Sequence, residues 1–354
     1  MSEIWVLGAT GRIGRAVTSR LRDRGQAVAV VGRDAGRLRA VADGSARVVT
    51  AGSAEAVAAE ITRQRPTVVV NTIGDYANTA VPIARAGMPG GHYVDLADDL
   101  VALPRLFALH EEAAAAGSTL VTAAGFGALA TEAVVVALCA GRARPSRVHV
   151  DALSSVAVEA GVVGAAYATS IVDVLTSGGR RIEDGHLVET RLGADPRHLA
   201  LPDGQTARAA ALPAGELLVA HRASGAPTVT AASSLVPTGP LARAVLPVAA
   251  RALSVPALRR LAIRGLGRVT VGARPRPRQH SWGHAVVEWP DGTRREGWLR
   301  AADGMGFTVD AATEVAVRLA AGGGRPGAAT PAVTFGPEVA VAAGAHLLLD
   351  QVGA

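Results

Sequence analysis

No lysine occurs in this chain of 354 residues, so its 36 strongly basic side chains are all arginine. Chemistry that needs a primary amine is excluded, both the Schiff base to a carbonyl substrate and the phosphate-binding lysine of a P-loop. Cysteine is almost as scarce. The single Cys139 permits no internal disulfide and fits a reducing compartment. Its place in the apolar run EAVVVALCAG reads as a buried, inert thiol. Aromatic residues make up 3% of the chain, too few for the stacking platforms of a nucleic-acid binder. The net charge of +6 is therefore read as compositional bias, and no nucleic-acid partner is expected. No uncharged apolar run reaches the ~18 residues of a membrane span. The chain opens on a strand-like segment rather than a charged-then-apolar leader. A soluble, cytoplasmic protein is expected. G-x-S-x-G is missing, and with it the nucleophile elbow of a hydrolase. His280 and His284 lie four apart with no cysteine or acid cluster beside them, so no metal site is expected.

What is present begins at Ile4. Ile4-Trp5-Val6-Leu7 is a continuous apolar run, the mark of a strand covered on both faces. Gly8, Gly11 and Gly14 follow at intervals of three, then an amphipathic helix to Arg24, then a second apolar run from Ala27 to Val31. Strand, glycine turn, helix and strand within about thirty residues are the setting in which such glycines bind a dinucleotide. Gly8 lets the chain turn out of the strand. Gly11 lets backbone approach a pyrophosphate. Gly14 lets helix and strand pack closely. The amides of Thr10, Gly11, Arg12, Ile13 and Gly14 open the helix and face the phosphates, where the dipole favours an anion. The spacing G-x-x-G-x-x-G is one residue wider than the dehydrogenase standard.

The second strand ends in Gly32-Arg33, where an NAD site places a carboxylate for the ribose hydroxyls. Arginine there suits a 2′-phosphate, so NADP(H) is the expected cofactor. Asp34 reads as the N-cap of the next helix, and Ser53 as that of the one after. The alternation continues through Arg47–Thr50, Val68–Val70, Tyr93–Leu96 and Thr119–Val121. The loop Asn71, Thr72, Ile73 and Gly74 follows the fourth strand, where the cofactor packs in a doubly wound sheet. These elements predict an α/β dinucleotide-binding domain over residues 1–125.

The segments GATGRIGRAV, VVGRDAGRL, VVVNTIGDYANTAVPIARA, GGHYVDLADD and TAAGFGALATEAVV, with GFTVDAATEVAVRLAAGG and RPGAATPAVTFGP near the other end, resemble the saccharopine dehydrogenase-like oxidoreductases. They cover about half the chain, in family order. The resemblance implies a Rossmann domain, NADP(H), a second α+β domain with an open mixed sheet, and a C-terminal segment, 305–354, that returns to the first domain. This chain departs from the family in two loops. Asp75 stands in NTIGDY where relatives carry proline, and GFGALATE replaces GFDSIPSD.

The middle of the chain reads differently. RVHVDAL alternates like a half-buried strand. Asp184-Gly185 and Pro290-Asp291-Gly292 sit between strand-like arms as hairpin turns. A second, α+β domain over 126–304 with a largely antiparallel or mixed sheet follows, and such a sheet suits a homodimer. The stretch 240–278 is apolar, rich in arginine and free of acid. It reads either as core-facing helices with solvated arginines, or as a flap or weak membrane-surface contact.

An NADPH-dependent oxidoreductase reducing a C=N, C=O or activated C=C bond of a small, apolar metabolite is the expected function. A transferase or lyase using bound NAD(P) transiently, and a non-catalytic NADP-binding redox sensor, are the alternatives. Hydride transfer needs a partner for the proton. Asp75 and Tyr76 after the fourth strand, and Asp95 at the end of the fifth, are the candidates.

Overall fold

The computed structural model describes residues 3–236, 239 and 249–349, with 165–167 and 170 described by backbone alone. The chain forms two compact units: Met1–Leu129 with Met305–His346, and Ala130–Gly304 with the segment from Leu347 on. The expected division at 125/126 thus falls at 129/130, and the second at 304/305.

In the first unit, β1 (Glu3–Leu7), α1 (Arg12–Asp23), β2 (Ala27–Gly32), α2 (Ala35–Ala42), β3 (Arg47–Thr50), α3 (Ala54–Gln64) and β4 (Val68–Asn71) alternate in sequence. α4 (Tyr76–Gly87), β5 (His92–Asp95), α5 (Ala102–Phe107), α6 (His110–Ala115) and β6 (Thr119–Val121) complete the run before α7 (Phe126–Cys139). The capping serine and aspartate act as predicted. Asp34 Oδ1 accepts from the Arg37 amide at 3.0 Å and Ser53 Oγ from that of Ala56 at 3.2 Å. The helix expected over 103–116 is two short helices, α5 and α6.

The sheet has seven strands rather than six, in the order β17-β6-β5-β4-β1-β2-β3, and every pairing is parallel. β17 (Gly327–Ala329) comes from the far end of the sequence. Its last carbonyl, of Ala329, accepts the Thr122 amide at 3.0 Å. Arg20 and Arg24 of α1 pair with Asp310 (2.9 Å) and Glu314 (2.6 Å) of α11 (Gly304–Ala320). These contacts join the C-terminal segment to the first unit as far as His346, whereas the stretch from Leu347 on, expected to return with it, falls in the second unit. The order reverses between β1 and β4, so their carboxyl ends open a crevice, the ligand position in sheets of this kind.

The second unit holds a nine-stranded mixed sheet whose main path is β10-β9-β13-β7-β15-β16-β18. Its strands are β7 (Arg147–Leu153), β9 (Gly179–Glu183), β10 (His186–Thr190), β11 (Arg197–Ala200), β12 (Thr206–Ala211), β13 (Thr228–Ser233), β15 (Ser281–Glu288), β16 (Arg294–Ala301) and β18 (His346–Leu349). β13 and β7 pair in parallel while the other described pairings of this sheet are antiparallel, and α9 (Glu216–Ser224) leads into β13. The β9–β10 hairpin turns on Asp184 (φ 48°) and Gly185 (φ 78°), both left-handed as a type I′ turn requires. β15 and β16 carry glycine where α7 crosses them. A Cβ on Gly283 would lie 2.6 Å from the Ala130 carbonyl oxygen, and one on Gly297 2.9 Å from Val134.

Apart from the sheet, β8 (Gly161–Val162) pairs with β14 (Thr270–Val271), beside α8 (Ala165–Ser177) and α10 (Pro256–Gly267). Residues 240–248 of the apolar stretch, and the Tyr167 side chain, lie outside what is described. α12 (Pro331–Phe335) and α13 (Glu338–Ala342) precede β18. Among the described residues no helix is long and apolar enough to cross a membrane.

Candidate functional site

The glycine turn sits at the carboxyl end of β1. Gly8 has φ 71°, and its amide donates to Val31 O at 3.0 Å. A Cβ there would press on the Thr72 carbonyl at 3.0 Å. The fit is tighter at Gly14. A Cβ would stand 2.4 Å from Gly8 O, 2.8 Å from Thr72 Oγ1 and 2.9 Å from Ala9 Cα. Only glycine lets α1 begin so close to both β1 and the loop after β4. Thr72 closes that approach, its hydroxyl and amide both donating to Leu7 O, at 2.7 and 3.1 Å. Gly11 differs from expectation. It is the N-cap of α1, and its own amide donates back to Gly8 O at 2.8 Å, so it tightens the turn rather than lending its N–H to a ligand. The first turn of α1 contains no acidic residue, and its amides lack intrahelical acceptors by construction. Thr10 and Ile13 lie on either side of that cap.

Arg33 directly follows β2 and is exposed, with no ion pair among the described residues. Its place after the second strand pointed to this residue but not to its surroundings. Between α1 and α2 lies a cavity of about 460 Å³ whose lining includes Thr10, Arg15, Arg22 and Arg37. Three arginines thus line the groove between α1 and α2, while Arg33 stands at the end of β2 beside Asp34, which is engaged as a cap. The cradle that a Cβ would fill, the helix N-terminus and the arginines together fit a dinucleotide carrying an extra phosphate. Thr10, Arg12, Ile13 and Gly14 would hold the diphosphate on a turn shaped by Gly8 and Gly11, and Arg33 would meet the 2′-phosphate.

The loops after β4, β5 and β6 are joined by one buried hydrogen-bond chain. Thr122 Oγ1 donates to Asp95 Oδ1 at 2.6 Å, Tyr93 OH to Asp95 Oδ2 at 2.9 Å, and Asn71 Nδ2 to Tyr93 OH at 3.0 Å. The Ile73 amide donates to Asn71 Oδ1 at 3.1 Å. Asp95 also accepts from the amides of Ala97 and Ala123, at 3.1 and 3.3 Å, and is 0% exposed. Burial pushes its carboxyl above the usual range, against the pull of these donors. Burial, and then the charge of Asp95, drive the Tyr93 hydroxyl well up and the Tyr76 hydroxyl up too.

The three residues named for proton transfer therefore occupy different settings. Asp95 is sealed inside with its acceptor sites taken. Tyr76 is half-buried, its hydroxyl 3.4 Å from Asn71 O. Asp75 is exposed, in the left-handed region at φ 47°, and its carboxylate holds Asn78 at the start of α4 (3.0 Å). Ile73 and Gly74 lie between, Ile73 43% exposed at the mouth of the loop. Cys139 is half-buried, and burial pushes its thiol up to about 11.

The second unit carries a polar network that the sequence reading missed. On one face of its sheet His149 Nε2 lies 3.1 Å from Asp151 Oδ1, and Asp151 Oδ2 lies 2.7 Å from His284 Nδ1. His284 Nε2 reaches Glu296 Oε1 at 3.0 Å, and its ring stacks on Trp298 at 3.9 Å. Arg197 closes on Asp151 at 3.4 Å. The alternation in RVHVDAL put His149 and Asp151 on one face. What the sequence lacked was the register that sets His284 opposite Asp151. His280 instead faces Asp203 at 3.4 Å, so the two histidines serve different partners. Among the described residues no group of three or more His, Cys, Asp or Glu is placed to hold a metal ion.

Residues 4–121 match the family model described as the saccharopine dehydrogenase NADP binding domain. Among solved structures, the apo saccharopine dehydrogenase (L-Glu forming) of Saccharomyces cerevisiae aligns over 100% of both chains, at 14% identity and a TM-score of 0.59. A short-chain dehydrogenase from Sphingobium yanoikuyae in complex with NADPH aligns over 34% of this chain and 71% of its own, at 16% identity and a TM-score of 0.29. The comparison with curated proteins finds no match.

Proposed function

From a chain whose residues 4–121 match the saccharopine dehydrogenase NADP-binding domain model, we propose an NADP-dependent oxidoreductase, a reductase that delivers hydride from NADPH to a C=N, C=O or activated C=C bond of a small metabolite. The observation that carries this reading is the Gly14 contact. A helix start that no Cβ could occupy, at the crevice between β1 and β4 and beside exposed Arg33, suits a bound dinucleotide phosphate better than a bare turn. NADPH when bound supplies the hydride.

The chain's own residues supply the rest. Asp75 is the proton-transfer candidate best placed for exchange, because its carboxylate stands open in the loop after β4. The Tyr76 hydroxyl stays neutral at physiological pH and serves as a hydrogen-bond donor rather than an acid. Asp95 is a positioning residue. It fixes Tyr93, Tyr93 fixes Asn71, and Asn71 fixes the Ile73 amide. An Asp75→Asn enzyme with unchanged kcat and an unchanged pH profile would remove Asp75 from this scheme.

Arg33→Glu tests the cofactor assignment. A hydrogen bond to a charged group is worth ~1.5–3 kcal/mol, so NADPH affinity is expected to fall roughly 30-fold by fluorescence titration, while NADH binding is unchanged. Equal losses for both nucleotides would deny Arg33 the 2′-phosphate. No binding of either by wild-type protein would end the reductase reading. Consumption of NADPH with a carbonyl, imine or enoyl panel, measured by absorbance, separates net reduction from transient use of the cofactor.

A further inference from the structure

Large apolar side chains stand in water on one small part of the second unit. Val158, Val162, Val255, Leu258, Leu261 and Val269 are between 42% and 66% exposed. All six belong to the β8–β14 pair, the helix α10 and their connections. α10 contains no buried residue over its twelve positions. Soluble surfaces tolerate single exposed leucines, but a cluster of this kind marks an interaction site.

The part of the cluster on and around α10 is strongly one-signed, the β8 side adding one exposed acid, Glu159. From 217 to 287 the sequence contains ten arginines and neither aspartate nor glutamate. At 100° per residue, Leu258, Leu261 and Gly265 share the outer arc of α10 with Arg260, Arg264 and Arg268, all six exposed. Ala262, Ile263 and Leu266 on the other arc are half-buried. Arg259, on that inner side, pairs with Asp173 of α8 and is neutralised. Arg260, Arg264 and Arg268 have no ion pair among the described residues. The helix thus turns its free cations outward together with its leucines.

We propose that the outer face of α10, with the exposed valines beside it, docks on a bilayer surface of anionic phospholipid. Leucine and valine enter the headgroup boundary, and the arginine stems lie along it with their guanidiniums on lipid phosphates. A second copy of this chain is a poorer occupant, since a two-fold pairing would set like-charged helices against each other. A nucleic acid would meet leucines and valines where it needs stacking aromatics.

The test is flotation of the full-length protein with vesicles of phosphatidylcholine, with and without phosphatidylglycerol, at low and high salt. Co-flotation with the anionic vesicles alone, weakened by salt, is expected. Arg260→Gln with Arg264→Gln lowers that partition by roughly fivefold per arginine. Leu258→Glu with Leu261→Glu abolishes it. NADPH titration and a circular-dichroism melt on each variant verify folding. Should the leucine variant not fold, the arginine variant, which changes only exposed residues, decides alone. Failure of the wild type to float, equal flotation with neutral vesicles, or a concentration-dependent dimer that Leu261→Glu dissolves while vesicles bind nothing would each overturn the proposal. Loss of NADPH binding by the wild type concerns the reductase reading and leaves this one standing.

Discussion

Gly14→Val is expected to reduce NADPH binding by more than about 10²-fold and to lower the unfolding midpoint of the first unit. The reason is steric and local. The new Cβ would meet Gly8 O at 2.4 Å and Ala9 Cα at 2.9 Å, both backbone atoms that cannot rotate aside. Overpacking of this kind costs about 1–3 kcal/mol when the neighbours can shift. Here the shift available is to lift the first turn of α1 away from β1. That carries the helix amides off the phosphate position, and misplacement by about 1 Å is enough for a loss of this order. Gly25→Ala is the matched control, because a Cβ there meets nothing within 4 Å, although its φ of 71° adds some backbone strain. Nucleotide titration and thermal melts on the two variants distinguish the effects. If Gly14→Val binds NADPH as the wild type does, the turn does not hold the diphosphate.

Asp151→Ala is expected to destabilise the second unit by about 3–5 kcal/mol, the usual cost of removing one member of a buried charge network. That is a large share of a typical ~5–15 kcal/mol total. Asp151 and His284 are 0% and 1% exposed on their side chains, so the deletion leaves His284 Nδ1 and the Arg197 guanidinium facing a void. The network also has a pH signature. Burial alone would raise the Asp151 carboxyl, but the hydrogen bonds and charges of His149 and His284 outweigh it and hold the group below its ordinary value. A depressed carboxyl contributes stability that is present above its unfolded pKa of ~3.9 and lost as pH falls through the folded value. The wild type therefore loses stability below about pH 4. Asp151→Asn keeps the shape and is expected to lose that part of the acid dependence. Urea melts between acidic and neutral pH compare the three proteins, and an Asp151→Asn curve parallel to the wild type would show that the carboxylate is not what the histidines hold.

The Rossmann half was legible because its signals are local. β1, β2 and β4 are apolar runs, α1 opens on a glycine and α2 and α3 on their capping Asp34 and Ser53, and the positive φ of Gly8 belongs to a residue that favours it. β17 was not legible: Gly327-Ala328-Ala329 has neither length nor β-branched side chains, and only its partner β6 makes it a strand. The roles within the site were legible in kind but not in depth. Nothing near Asp95 in sequence says that Thr122 and the amides of Ala97 and Ala123 will enclose it. An acid at the carboxyl end of a strand looks the same whether it faces the crevice or the core. Likewise His149 and Asp151 announce a shared face, yet His284 joins them across 133 residues, and such pairings follow from register rather than composition.

The position of β17 has a consequence for how the protein is made. The strand that finishes the first sheet is translated after the whole of Ala130–Gly304. At ~5–20 residues per second a ribosome needs roughly 10–40 s to travel from β6 to β17. Throughout that interval the nascent chain carries β6 as an unsealed margin, with the N–H and C=O groups of Thr119–Val121 unsatisfied by their final neighbour. The segment synthesised first thus waits for a strand near the far end of the chain.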